Sequence, residues 1–187
     1  NLGETKFLAA TSIATSVMTM VIWSFAFLRM GTVGIVAQLF GKGDYREIVK
    51  TLLRNFLIAI IIATVIILFK STIISLTEDF FSTSTETQEL VKTYISIRAL
   101  SIPAEFVIYI LVGFYLAIQK TNVSSLLIII LSILNIVLSS FFVLSLNLNV
   151  FGVALGTLIA SYITATVFAL FTYNFIIKKF QIIPKFE

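Results

Sequence analysis

The sequence predicts an all-α fold, a polytopic membrane helix bundle with five transmembrane helices in one domain over residues 1–187. Hydrophobic residues make up 59% of the chain, charged residues 12%, and the mean hydropathy is +1.08, which is too apolar for an ordinary soluble domain. Apolar runs of about 20 residues, the length that crosses ~30 Å of hydrocarbon, recur along the chain. Cysteine and histidine are absent, which excludes disulfides, thiol chemistry and imidazole proton relays.

Five apolar runs are the candidate spans, and they cover residues 7–40, 46–69, 90–118, 122–145 and 149–177. The first run is longer than a bilayer requires at ~1.5 Å rise per residue, so we expect it to tilt or to bend at Gly31 or Gly34. In the third run, Pro103 predicts a kink. The polar link "STIISLTEDFFSTSTETQE" between the second and third runs predicts helix caps and turns.

The segment "GKGD" predicts the turn between the first two spans. Gly41 or Gly43 suits the C-terminal cap of the first helix. Asp44, followed three residues later by Glu47, matches the capping box that opens the second helix.

Lysines and arginines near the predicted helix ends divide unequally between the two sides of the membrane. One side has Lys42, Arg46, Lys50, Arg54, Lys120, Lys178, Lys179 and Lys185. The other side has Lys6, Lys70 and Lys92. The larger group marks the cytoplasm, so the net charge of +4 reports topology and we infer a lipid bilayer, not a nucleic acid, as partner. Five crossings then place the N-terminus outside, so we expect a further helix before Asn1.

Three charges remain inside the predicted spans: Arg29, Arg98 and Glu105. A charge in hydrocarbon costs about 2.5–3.5 kcal/mol and normally faces a partner or water. Counted from the cytoplasmic ends of their spans, Arg29 and Glu105 differ in depth by only about 3 Å. We therefore expect Arg29 to pair with Glu105, either as a structural pair or as a titrating element. Arg98 lies nearer the outer surface, where we expect it to snorkel.

Uncharged polar residues form stripes on three spans. The stripes consist of Ser12, Thr15, Ser16 and Thr19, of Ser132, Asn135 and Ser139, and of Thr157, Ser161 and Thr164. Because they overlap in depth in the outer half of the membrane, they predict an outward-facing aqueous cavity. The alternative is that each hydroxyl bonds back to a carbonyl of its own helix. A face of Gly152, Gly156 and Ala160 predicts close helix packing.

Three segments together resemble the multidrug and toxic compound extrusion (MATE) transporter family, in the bacterial branch typified by DNA-damage-inducible protein F. They are "FAFLRMGTVGIVAQLFGKGD", "YISIRALSIPAEFVIYILVGFYLAIQKT" and "LNIVLSSFFVLSLNLNVFGVALGTLIAS". The resemblance implies that the five spans correspond to helices two to six of the first of two six-helix lobes. It also implies a multi-pass protein of the bacterial cytoplasmic (inner) membrane, with the first helix and the second lobe as partners of this segment.

The resemblance implies a multidrug efflux antiporter that exports small amphipathic, often cationic, organic compounds in exchange for protons or sodium by alternating access. Carried over by position, the family's polar site residues in this lobe fall on Asn135 and Thr157, and Ser139 stands where the family commonly has aspartate. We assign Asn135, Ser139, Thr157 and Ser161 to the substrate or ion cavity. Coupling then uses either the missing first helix or Glu105.

Two other classes of protein remain open. A lipid-precursor flippase or another exporter of the same superfamily would have a cavity richer in basic residues. A membrane scaffold without transport would tolerate apolar replacement of the polar stripes. The sequence offers no nucleophile with a base and no metal set, so we expect neither an enzyme nor a cofactor beyond the coupling ion.

Overall fold

The computed structural model describes residues 2–81 and 84–181, with Leu2–Glu4 described by their backbone alone. Over these residues it contains α1 (Leu2–Trp23), α2 (Phe27–Gly41), α3 (Tyr45–Leu68), α4 (Lys70–Phe80), α5 (Thr85–Ala99), α6 (Ile102–Ala117), α7 (Thr121–Ser140), a π-helix (Phe141–Ser145) and α8 (Asn149–Phe180). No strand occurs in the described ranges, so the all-α class is confirmed. Four helical stretches in these ranges are long and apolar enough to cross a membrane, and the bent pair α5 and α6 makes a fifth.

The first span is interrupted at residues 24–26, between α1 and α2. The backbone tightens there, since the N–H of Phe25 donates to Ile22 O at 3.1 Å and that of Ala26 to Trp23 O at 2.9 Å. Ser24 donates its hydroxyl back to the helix at Met20 O, a bond that competes with regular helix geometry. The predicted bend at Gly31 or Gly34 is wrong in position, because both glycines lie inside α2.

The third span consists of two helices that meet at an angle of 50°. The break lies at Leu100 and Ser101, and Pro103 stands in the first turn of α6, where its missing N–H is not needed. The kink predicted from Pro103 is confirmed. Side chains satisfy the exposed carbonyls of the break: Ser101 Oγ donates to Arg98 O at 2.7 Å and Tyr162 Oη to Leu100 O at 3.1 Å. A helix break within hydrocarbon depends on such replacement bonds.

The polar link after α3 is mostly helical, so the turns predicted for it are wrong over α4. Ile74 and Thr77 are buried there, and α4 packs along α5. Its hydroxyls bond within the helix, as Thr77 Oγ1 does to Ile73 O at 2.7 Å. Ser84 does cap α5, accepting from Thr87 N at 3.4 Å.

The turn between α2 and α3 has the predicted glycine and one of the two hydrogen bonds of the predicted capping box. Gly43 has a φ of +72°, and Asp44 accepts a hydrogen bond from Glu47 N at 3.1 Å. The second bond of a capping box is not formed, because Asp44 N donates to Leu39 O. The Glu47 carboxylate instead pairs with Arg54 at 3.1 Å.

The helix α6 is the centre of the core. Phe106, Ile110, Phe114 and Tyr115 on this helix are fully buried, with α2, α3, α7 and α8 packed around it. This arrangement explains why α6 carries almost no polar residue after its first turn, since most of its surface packs against other helices.

The basic residues at the α2–α3 turn, the α6–α7 turn and the end of α8 lie at one end of the bundle. Tyr45 stacks on Phe180 with ring centroids 4.5 Å apart, and Lys120 Nζ lies 4.5 Å from the Phe175 ring centroid. At the other end Lys6 forms an ion pair with Glu86. This grouping matches the predicted division of charge, while the predicted position of Lys185 falls outside the described residues.

Candidate functional site

A cleft of about 130 Å³ lies between the α5–α6 break, α7 and α8. Its lining residues are Arg98, Glu105, Ile108, Tyr109, Leu131, Asn135, Thr157 and Ser161. Three of the four residues assigned to the cavity from sequence, Asn135, Thr157 and Ser161, therefore come together. The structure adds both charged residues of the bent span to the same cleft.

The wall formed by α7 and α8 is polar but uncharged. Asn135 Nδ2 donates to Thr157 Oγ1 at 2.8 Å, and Thr157 Oγ1 donates to Val153 O at 3.1 Å. Ser161, one turn further along α8, is 1% exposed. Within the described residues the Asn135 amide oxygen receives no hydrogen bond, so it is available to a water, an ion or a ligand.

Ser139 does not line the cleft, contrary to its assignment from sequence. It lies at a close contact between α7 and α8, since a Cβ on Gly156 would be 2.4 Å from Ser139 Oγ and 2.6 Å from Ser139 N. The predicted packing face of Gly152, Gly156 and Ala160 is confirmed at this contact, as all three are buried. Ser139 donates a long bond of 3.4 Å to Val153 O.

The wall formed by the α5–α6 break carries an ion pair. Glu105 Oε1 accepts a hydrogen bond from Arg98 Nη1. Ser101 Oγ lies 2.7 Å from both Glu105 Oε1 and Arg98 O, so its one proton can be donated to either acceptor. The Arg98 side chain is 10% exposed and that of Glu105 15%. Burial of both charges is tolerated because each has a charged partner and Ser101 adds a further bond.

The predicted pairing of Arg29 with Glu105 is wrong, because the salt bridge that Glu105 makes in the described structure is with Arg98. Arg98 precedes Glu105 by seven positions, which is two helical turns, so the two side chains share a face across the break. The expectation that Arg98 snorkels to the outer surface is wrong, because this residue is buried. The Arg29 guanidinium instead lies 5.9 Å from the Tyr109 ring centroid.

The remaining stripe residues lie outside the cleft lining and differ in their hydrogen bonds. Ser16 and Ser132 donate to the carbonyls of Ser12 and Ile128 in their own helices, as the alternative interpretation requires. Thr15 Oγ1 bonds Tyr94 Oη of α5 at 3.0 Å. Ser12, Thr15, Ser16 and Thr19 are all exposed. The Thr164 hydroxyl is buried without a hydrogen-bond partner among the described residues.

Sequence reasoning missed Ser101 and Tyr109 as parts of the site. The four-residue spacing from Ser101 to Glu105 was a usable signal, since it places both side chains on one helix face. Tyr109 carried no such signal, because a tyrosine in an apolar run also suits the core. No group of three or more acidic residues in the described ranges could hold a metal ion, and Glu105 is the carboxylate of the cleft.

A multi-pass helical bundle with a polar, partly charged cleft enclosed by apolar helices is typical of a membrane transport protein. The MatE family model matches residues 1–141. The chain belongs to this family, the multidrug and toxic compound extrusion family, as its sequence resemblance indicated.

Individual relatives agree with this assignment. The chain is 31% identical over 164 residues to DNA damage-inducible protein F of Escherichia coli (strain K12), covering 88% of this chain and 36% of that protein. It superposes on a crystal structure of MATE in complex with MaD5 with a TM-score of 0.84 and 21% identity, over 96% of this chain and 40% of that one. A MOP superfamily transporter from Pyrococcus furiosus gives a TM-score of 0.80 at 23% identity, over 89% and 37% of the two chains. The chain thus spans well under half the length of these relatives.

Proposed function

We propose that the full-length protein is a secondary active efflux antiporter, which exports amphipathic organic compounds in exchange for protons or sodium by alternating access. In this proposal the described helices belong to its first lobe, and a helix before them and a second lobe complete it. The membership of the MatE family and the likeness to DNA damage-inducible protein F support the proposal.

The observation that carries the proposal is the cleft that joins Glu105 to Asn135 and Thr157. Glu105 lies twelve positions before Ala117, the last residue of α6, which corresponds to about 18 Å along a helix. A carboxylate at that depth in a ~30 Å hydrocarbon core requires a function or a partner. The carboxylate and the amide oxygen together suit a proton, a sodium ion or a cationic group, and the site requires no other cofactor.

The flippase alternative receives less support from the cleft. An anionic lipid precursor would favour a cluster of basic residues, whereas the cleft lining in the described ranges has one basic residue, Arg98, which is paired with Glu105. A transport-free scaffold would need no polar cleft at this depth, and the same experiment tests it.

The test is drug efflux in cells that express the full-length gene at matched protein levels. We expect Asn135→Ala and Glu105→Gln each to lower efflux at least about tenfold, a loss of ~1.4 kcal/mol of transition-state stabilisation. Ser132→Ala is the matched control, because Ser132 is exposed on the same helix and bonds to its own backbone. If Asn135→Ala exported drug as well as the wild type does, the cleft would not be part of the transport path. Transport into proteoliposomes with either a pH gradient or a sodium gradient identifies the coupling ion.

A further inference from the structure

Arg29 is a second cation inside the membrane-spanning bundle. It precedes Gly41, the last residue of α2, by twelve positions, or about 18 Å along the helix. The helix α2 packs tightly on α6 at this level, since a Cβ on Gly113 would lie 2.8 Å from Arg29 O. The Arg29 side chain is half-buried beside Tyr109.

The charges at this depth do not balance. Arg29 and Arg98 are positive, and Glu105 is the one carboxylate within the spans of the described chain. Asp44, Glu47, Glu78, Asp79, Glu86 and Glu89 all lie at or near helix ends. Glu105 is already bonded to Arg98 and Ser101. One positive charge, that of Arg29, is therefore without a carboxylate among the described residues, at a depth where an unpaired charge is costly.

Tyr109 links Arg29 to the cleft. Its ring contacts the Arg29 guanidinium, and the same residue lines the cleft together with Glu105 and Asn135. A guanidinium over an aromatic ring keeps its N–H groups at the edge, where they bind a carboxylate in a bidentate manner. The aromatic ring also offers an apolar surface to the body of a ligand.

We propose that Arg29, supported by Tyr109, binds the carboxylate of an amphipathic substrate, so that carboxylate-bearing compounds are a preferred substrate class. This inference rests on the proposed function. A phospholipid headgroup is the alternative source of an anion, because Arg29 contacts α6 at Gly113, four residues before the end of that helix. A headgroup at Arg29 would make both dyes respond equally to the Arg29 variants, which is an outcome of the test.

The test compares rhodamine B, which has a free carboxylate, with its ethyl ester, which has none, by fluorescence polarisation on the purified full-length protein. We expect Arg29→Gln to weaken rhodamine B binding at least about tenfold and the ester less than about twofold, since a charge-assisted pair contributes roughly this much. Lys42→Gln is the control, because it removes the same charge from the exposed α2–α3 turn. It should leave both affinities unchanged.

A second variant keeps the test decisive if Arg29→Gln does not fold. Arg29→Lys keeps the charge and loses the planar fork, so we expect it to weaken rhodamine B several-fold and to leave the ester unaffected. Equal effects of the Arg29 variants on both dyes, or no effect on either, would overturn the inference. Arg29 would then have a structural role or would pair with a carboxylate elsewhere in the full-length chain. Cellular export of the ester reports on the proposed function alone, because the ester has no carboxylate.

Discussion

The two walls of the cleft hold their polar groups in opposite ways. The wall at the α5–α6 break buries full charges, Arg98 and Glu105, within seven positions of one span. The wall formed by α7 and α8 carries a half-buried neutral pair, Asn135 and Thr157, from two helices that pack closely. A buried charge therefore depends strongly on its one charged partner, whereas a half-buried amide and hydroxyl contribute a smaller hydrogen-bond energy in addition to helix packing.

The largest expected effect comes from breaking the ion pair. Glu105→Ala leaves Arg98 buried without its carboxylate, so we expect a loss of about 3–5 kcal/mol in the free energy of unfolding. Thermal unfolding in detergent, followed by size-exclusion chromatography, measures it. The double variant Arg98→Met with Glu105→Met should recover most of the loss. A double variant as unstable as Glu105→Ala would show that the charges act separately.

A smaller effect is expected from the close contact on the neutral wall. Gly156→Ala places a Cβ 2.4 Å from Ser139 Oγ, and such overpacking costs about 1–3 kcal/mol. Gly34→Ala is the matched control, since an added Cβ there meets no heavy atom within 4 Å and alanine favours a helix by up to about 1 kcal/mol. Melting temperatures of the two variants should move in opposite directions. A Gly156→Ala protein as stable as the wild type would mean that α7 and α8 separate at little cost.

The smallest effect concerns the neutral pair itself. Asn135→Ala removes one interhelical hydrogen bond, and such bonds contribute about 0.6 kcal/mol on average, with a maximum near 1.7. A double-mutant cycle with Thr157→Val on melting temperature isolates the coupling. If Asn135→Ala destabilised the protein as much as Glu105→Ala does, the contrast between the two walls would be lost.

The positions of the spans follow from the sequence because apolar length is a direct requirement of the bilayer. The predicted starts at residues 46, 122 and 149 agree to within one residue with Tyr45, Thr121 and Asn149. The helix α4 was missed because its serines and threonines suggested turns, while packing against α5 favours helix. A segment rich in serine and threonine can therefore be a helix that packs against a neighbour, which the sequence alone does not distinguish from a turn.

The polar and charged residues of the cleft could be named from the sequence, but the partner of Glu105 and the position of Ser139 could not. Asn135 and Thr157 stood out because amides and hydroxyls recur on one face of each helix. The partner of Glu105 was misjudged because depth was compared between helices, and Arg98 on the same span was closer. Ser139 was misplaced because a stripe gives the face of a helix but not the distance to its neighbour, which Gly156 sets here.

The contact of Gly156 with the Ser139 backbone has a consequence for how the cleft can change shape. Because no side chain lies between them at Gly156, α7 and α8 cannot slide or separate there without losing a close contact. We therefore expect the two helices to move together as one rigid unit. The opposite side contains a 50° break, where single side-chain bonds from Ser101 and Tyr162 supplement the backbone bonds of the last turn of α5. We therefore expect any change in the shape of the cleft to come from a change in the angle between α5 and α6, while α7 and α8 keep their contact.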